Sequence, residues 1–160
     1  MWHTNIQSIG PIEQVLQFQR LLVGDQLIHS KSYKSMTRRN NFTVEFIPGS
    51  ENPTSCYGHV LFYVKIYLQC PNPSFCGNAC KCKKTVYYAL INVLKPNKNL
   101  GIADDAFTGA TIPHLIPVVS SDNCLTAIPV EDIVRLCFYI HCGSDCISFV
   151  GIFPNQFEKD

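Results

Sequence analysis

The 160-residue chain has no apolar run approaching the roughly 18 residues of a membrane-spanning helix; its longest, VLFYVKIYL, is interrupted by Lys65. The N-terminus, MWHTNIQSIGPIEQ, lacks the basic start and apolar centre of a secretory leader. An intracellular chain with no membrane partner is therefore expected. Charge is also scarce, at 16% charged residues and a net charge of +1, so any electrostatic partner must be met by a local patch. Catalytic signatures are missing. No G-x-S-x-G, H-E-x-x-H or P-loop occurs, and His3, His29, His59, His114 and His141 are widely separated. Cys137 precedes His141 by four residues, which along a strand places them about 13 Å apart, too far for a nucleophile and its base. The acidic pairs Asp104 with Asp105 and Glu131 with Asp132 fall in a loop and at a helix start, where acids serve as caps. No enzyme is expected, and no small-molecule substrate is evident.

What is present is apolar alternation. A chain of this length buries roughly 70% of the surface its unfolded form exposes, enough for one domain without a staple. In NFTVEFI, residues Phe42, Val44 and Phe46 alternate with Thr43 and Glu45, the signature of a half-buried strand. YGHVLFYVKIYLQC carries the clearest strand, Tyr57 to Cys70, and KTVYYALINVLKP a second that pairs with it as an antiparallel hairpin. Pro113 and Pro117 in IPHLIPVV point to an edge strand. A helical turn over Glu131 to Val134 then leads to a strand through Leu136, Phe138 and Ile140, and CISFVGIFP forms the last strand. The N-terminal PIEQVLQFQRLLVGD places Ile12, Val15, Leu16, Leu22 and Val23 at helical spacings between Pro11 and Gly24, which predicts a helix over Pro11 to Val23. The expected fold is mostly β: a single-domain small antiparallel barrel or curved sheet with one N-terminal helix. Residues 1–29 form the helical segment and 30–160 the β domain. Closure is favoured because strands apolar on both faces would otherwise leave an exposed patch.

Nine cysteines is a high count, and four fall in CPNPSFCGNACKCKK, the connection of the predicted hairpin. A tetrahedral zinc with Zn–S bonds of about 2.3 Å holds its sulfurs roughly 3.8 Å apart, which favours C-x(2 to 4)-C pairs. Cys76 and Cys80 meet that spacing. Cys80 and Cys82 converge only if the loop curls, and Cys70 would complete a four-thiolate set. Three readings stay open: unmodified thiols, a structural zinc on Cys70, Cys76, Cys80 and Cys82, or a disulfide joining Cys70 to Cys82 or Cys142 to Cys146. No other cofactor is indicated.

The segment HSKSYKSMTRRNN brings Lys31, Lys34, Arg38 and Arg39 together without an acidic residue, interleaved with Tyr33 and followed by Phe42. Cations with aromatics suit phosphates and unstacked bases. A solvated approach to an edge strand, kept soluble by its charge, has the same composition.

Three stretches together resemble the C-terminal module of transposon-encoded proteins of the KDZ or CACTA type: SKSYKSMTRRNNFTVEF, YGHVLFYVKIYLQC, and IPVEDIVRLCFYI leading to FVGIFPNQFEKD. The Tyr-Gly strand, Tyr57 to Val64, and the segment Pro129 to Cys137 are also similar to bromo-adjacent homology domains, β-barrel modules of chromatin proteins. The resemblance spans roughly residues 30–160. It implies a non-catalytic interaction module binding protein or nucleic acid, nuclear rather than cytoplasmic. Lys31, Lys34, Arg38, Arg39 and Tyr57 are its candidate contact residues.

Overall fold

The computed structural model describes residues 10–33, 41–49, 54–76, 82, 84–97, 114–142 and 147–152. They form nine strands: β1 (Ile12–Phe18), β2 (Arg20–Val23), β3 (Gln26–His29), β4 (Thr43–Phe46), β5 (Cys56–Leu68), β6 (Thr85–Pro96), β7 (Leu115–Pro129), β8 (Ile133–Cys142) and β9 (Ile147–Ile152). One helical turn, α1 (Pro73–Cys76), follows β5, and a 3-10 turn, Val130–Asp132, leads into β8. Among the described residues no helix is long and apolar enough to cross a membrane.

The fold is mostly β, as the alternation predicts, and its frame is two hairpins. β5 and β6 pair antiparallel from Tyr57↔Leu94 to Tyr67↔Thr85, and β8 and β9 pair from Cys137↔Ile152 to Cys142↔Ile147. β5 also pairs with β4, β4 with β8, β9 with β7, and β7 with β6, so the antiparallel ladders run in a circuit through six strands. β4 lies between β5 and β8, and all four of its residues are buried, not the half expected from alternation. Val44 and Phe46 join the larger core with Val60, Tyr63, Ala89, Ile91, Ile128 and Ile133. Thr43 and Glu45 lie on the opposite face; there the Ser55 hydroxyl donates to Glu45 Oε1 at 2.7 Å and Arg135 Nε stands 2.8 Å from Oε2.

The N-terminal helix expected over Pro11 to Val23 is instead two strands. β1 pairs antiparallel with the distal half of β5, Phe18 opposite Tyr63 and Ile12 opposite Leu68, while β2 and β3 make a small hairpin around Gly24 at φ +60°. β4 covers β5 only from Cys56 to His59, and β1 pairs with the distal part of that edge from Tyr63 to Leu68. An unpaired strand edge costs more than a short helix gains. The described part of this N-terminal segment also shares the main core, through Phe18, Leu21, Val23 and Ile28. The β2–β3 hairpin is tied down where Leu136 N–H donates to Gln26 Oε1 at 2.9 Å.

Pro117 does not mark an edge strand, because β7 lies between β9 and β6. The two ladders follow one another along β7 and overlap only at Val118, so Pro117 stands where β7 is paired with β9 alone. On the other side its carbonyl accepts from Asn97 N–H at 2.9 Å.

Two glycines mark close approaches. A Cβ on Gly58 would strike Ile91 Cγ2 and lie 2.8 Å from the Asn92 carbonyl oxygen; a Cβ on Gly151 would enter the ring of Phe138, its cross-strand partner. Backbone cannot yield as a flexible side-chain tip does. Gly58→Ala is therefore expected to cost about 1–3 kcal/mol, and more than Gly151→Ala, where the ring can turn. Urea unfolding of the two variants checks the order; equal midpoints would contradict it.

Candidate metal centre

The end of the β5–β6 hairpin is where the sequence's cysteines meet. Leu68 N–H donates to the Lys84 carbonyl at 2.9 Å, closing the ladder, and the chain beyond enters Cys70. Asn72 and Pro73 then open a helical turn: proline's fixed φ suits a first helical position, and Phe75 N–H donates to the Asn72 carbonyl at 3.2 Å. That turn carries Cys76 back toward the hairpin. The sulfurs of Cys70, Cys76 and Cys82 all lie within 4.8 Å of one another, and Cys76 Sγ stands 3.5 Å from Cys82 Sγ. Asn72 N–H also donates to Cys70 Sγ at 3.4 Å.

These separations bracket the roughly 3.8 Å that a tetrahedral zinc imposes on its sulfurs, so the three residues fit the group. Soft thiolates select zinc, copper(I) or iron-sulfur chemistry over hard cations. The Cys70 to Cys82 disulfide is not formed: both residues are thiols, and so is Cys142. A bond of about 2.05 Å would need sulfurs far closer than metal ligands stand. Cys80 and Cys146 lie outside the described residues.

The second candidate site divides differently. Lys31 is exposed, with its backbone N–H donating to the Val60 carbonyl at 2.7 Å. Tyr33 packs edge-on against His29, with the Arg20 guanidinium 5.4 Å from its ring centroid. Lys34, Arg38 and Arg39 lie outside the described residues. Tyr57 is 8% exposed and packs with Leu94, Val118, Cys137 and Val150. Burial, then the Glu45 charge, pushes its hydroxyl up to about 12, so it is a neutral core residue with little surface to offer a partner.

Sequence reading missed a third group, on one face of β1, β5 and β6. Between Val60 and Phe62 the β5–β6 register slips, leaving Leu61 opposite no residue, and its carbonyl accepts from the Ser32 hydroxyl at 3.0 Å. The extra residue reverses the facing of all that follows, so Val60 and Tyr63 enter the same core. Beyond Tyr63 that face continues as Lys65 and Tyr67, opposite Tyr87 and Thr85 on β6 and Leu16 and Gln14 on β1. Phe18 stacks on Tyr63 at 5.1 Å and meets Tyr87 edge-on at 6.3 Å. Lys65 Nζ lies 4.6 Å from the Tyr67 ring centroid and 5.6 Å from that of Tyr87. Hydrogen bonding to Tyr67, outweighing partial desolvation and aided by Tyr87, raises the Lys65 ammonium above its ordinary value and keeps it charged.

A buried polar group completes the set of titratable side chains. His59 Nδ1 is 2.9 Å from Thr43 Oγ1, and its ring meets Phe42 and Tyr139 edge-on at 5.2 and 4.6 Å. The Tyr139 hydroxyl donates to Ser148 Oγ at 2.8 Å, and His141 Nδ1 lies 3.0 Å from the same oxygen. Burial, then the Lys31 charge, lowers His59 to about 4, and burial lifts the neighbouring Cys137 thiol to about 12, so both are neutral near pH 7. No family model, curated protein or solved structure matches the chain.

Proposed function

We propose that the chain is a non-catalytic interaction module whose β5–β6 hairpin is clasped by one structural zinc and which binds nucleic acid. The convergence of the Cys70, Cys76 and Cys82 sulfurs within 4.8 Å carries the reading, since three thiols brought together from a 13-residue span form a ligand set, not a packing motif. Cys80, in the same loop, is the fourth ligand of the proposed site. The circuit of ladders through β4, β5, β6, β7, β9 and β8 supports the small barrel as the architecture that holds the hairpin. The transposon or chromatin class rests on the sequence resemblance alone, and Lys31 is the one described cation of the basic approach that would serve it.

Metal analysis tests the clasp. Protein purified under reducing conditions should carry about one equivalent of zinc, and Cys76→Ser should lose most of it while Cys142→Ser keeps it. A metal-free chain, or equal zinc in both variants, contradicts the reading.

A further inference from the structure

The β5–β6 hairpin is uniformly basic. From Asn52 to Ala103 the chain has six lysines and no acidic residue, a bias hidden by the overall charge of +1. Lys65 stands on a face lined with rings, and Lys84 lies at the near end of the same hairpin. Tyr67 and Tyr87 flank Lys65 on the outward continuation of the core face, with Lys84 exposed at the hairpin end. Tyr87 is 36% exposed; past it, at the clasped tip, Phe75 is 93% exposed. A phenylalanine left in water on a turn bounded by Cys70 and Cys76 costs free energy and contributes nothing to the core. Glu13, the acidic residue nearest in register, stands at the irregularity in β1 between Ile12 and Gln14.

We infer that the Lys65, Tyr67 and Tyr87 face, together with Lys84 and Phe75 at the hairpin tip, is a binding surface for single-stranded nucleic acid. The inference rests on the nucleic-acid reading above and names its ligand form. Every base offers a π-face to an aromatic side chain, and the lysines answer the phosphates, so such a surface favours unpaired strands and tolerates any sequence. A duplex stacks its bases on one another and offers phosphates and base edges but no open π-face, giving the rings nothing to stack on.

Fluorescence anisotropy with the full zinc-loaded chain tests this, using labelled oligo-dT of about 12 nucleotides, a duplex of equal length and poly-glutamate as probes. The single strand should bind most tightly, with affinity falling steeply from about 50 to about 200 mM salt. Tyr67→Ser and Tyr87→Ser should each weaken binding about tenfold with the salt slope unchanged, whereas Tyr67→Phe and Tyr87→Phe keep the ring and the affinity. Lys84→Gln, at an exposed position, should lower the salt slope by about 0.7. Equal affinity for duplex or poly-glutamate, or full affinity in the serine variants, overturns the inference. Zinc measured on the same sample separates the readings: a zinc-loaded chain that binds the duplex but ignores the single strand overturns the surface alone, and one that ignores both overturns the nucleic-acid reading as well. A zinc-free chain that binds it overturns the clasp and supports the surface.

Discussion

Stability should fall by about 3 kcal/mol as the pH drops from 6.5 to 4, the window set by His59. Its imidazole, 4% exposed, has an ordinary value of 6.5 in the unfolded chain and about 4 in the folded one. Between those limits the unfolded state binds a proton that the folded state refuses. The contribution of the neutral ring is therefore complete above 6.5, is lost progressively as pH falls, and is exhausted once both states are protonated. Burial is the larger cause and the nearby Lys31 charge the second, so salt should soften the effect only in part. Asp132 has the opposite sign: burial raises its carboxyl, so it favours the fold as acid is added and offsets a little of the loss. Urea midpoints across this range should drop steeply for the native chain and much less for His59→Gln. Parallel slopes would place the acid sensitivity elsewhere.

Chelation should lower stability further, by about 4 kcal/mol where free zinc had stood near a thousandfold above its dissociation constant. For a chain of this length that corresponds to a fall in Tm of about 8–16 °C. The sheet itself should survive. β5 and β6 are paired through ten residue couples, and β1, β4 and β7 hold their other edges, so the ladder does not depend on the loop that joins them. Small zinc fingers, lacking such a frame, unfold without their metal. Circular dichroism after treatment with a strong chelator should thus show a retained strand signal with a lower melting midpoint. An unchanged midpoint would mean that the sulfurs hold no metal of consequence.

The parts legible in the sequence are those where local pattern and tertiary role agree. Alternation in Val86 to Val93 and in Leu136 to Ile140 is specified by neighbours within the same hairpins, and those strands appear as read, although the helical turn expected over Glu131 to Val134 is Val130–Asp132 and the strand already begins at Ile133. Ile12, Val15 and Leu16 fit a helical stripe equally well, and what decides for a strand is the bare distal edge of β5, some fifty residues away. The slip at Leu61 was equally hidden. It moves Tyr63 into the core beside Val60 and aims Lys65 and Tyr67 along the same face, a consequence of pairing and not of composition. Tyr57 looked like a contact residue because its strand carried the resemblance, but its register against Glu45 and Leu94 buries it. In the cysteine loop, counting spacings left three readings open and did not show which sulfurs meet. Asn72 and Pro73 signalled a helical turn, and that turn is what carries Cys76 back toward Cys70 and Cys82.

The clasp is tested most directly by X-ray absorption at the zinc edge on protein purified with its metal. The account predicts a shell of sulfur at about 2.3 Å, four scatterers with Cys80 as ligand and three plus a lighter atom in Cys80→Ser. A shell of nitrogen or oxygen near 2.0–2.1 Å, or zinc that dialyses away under reducing conditions, would contradict it.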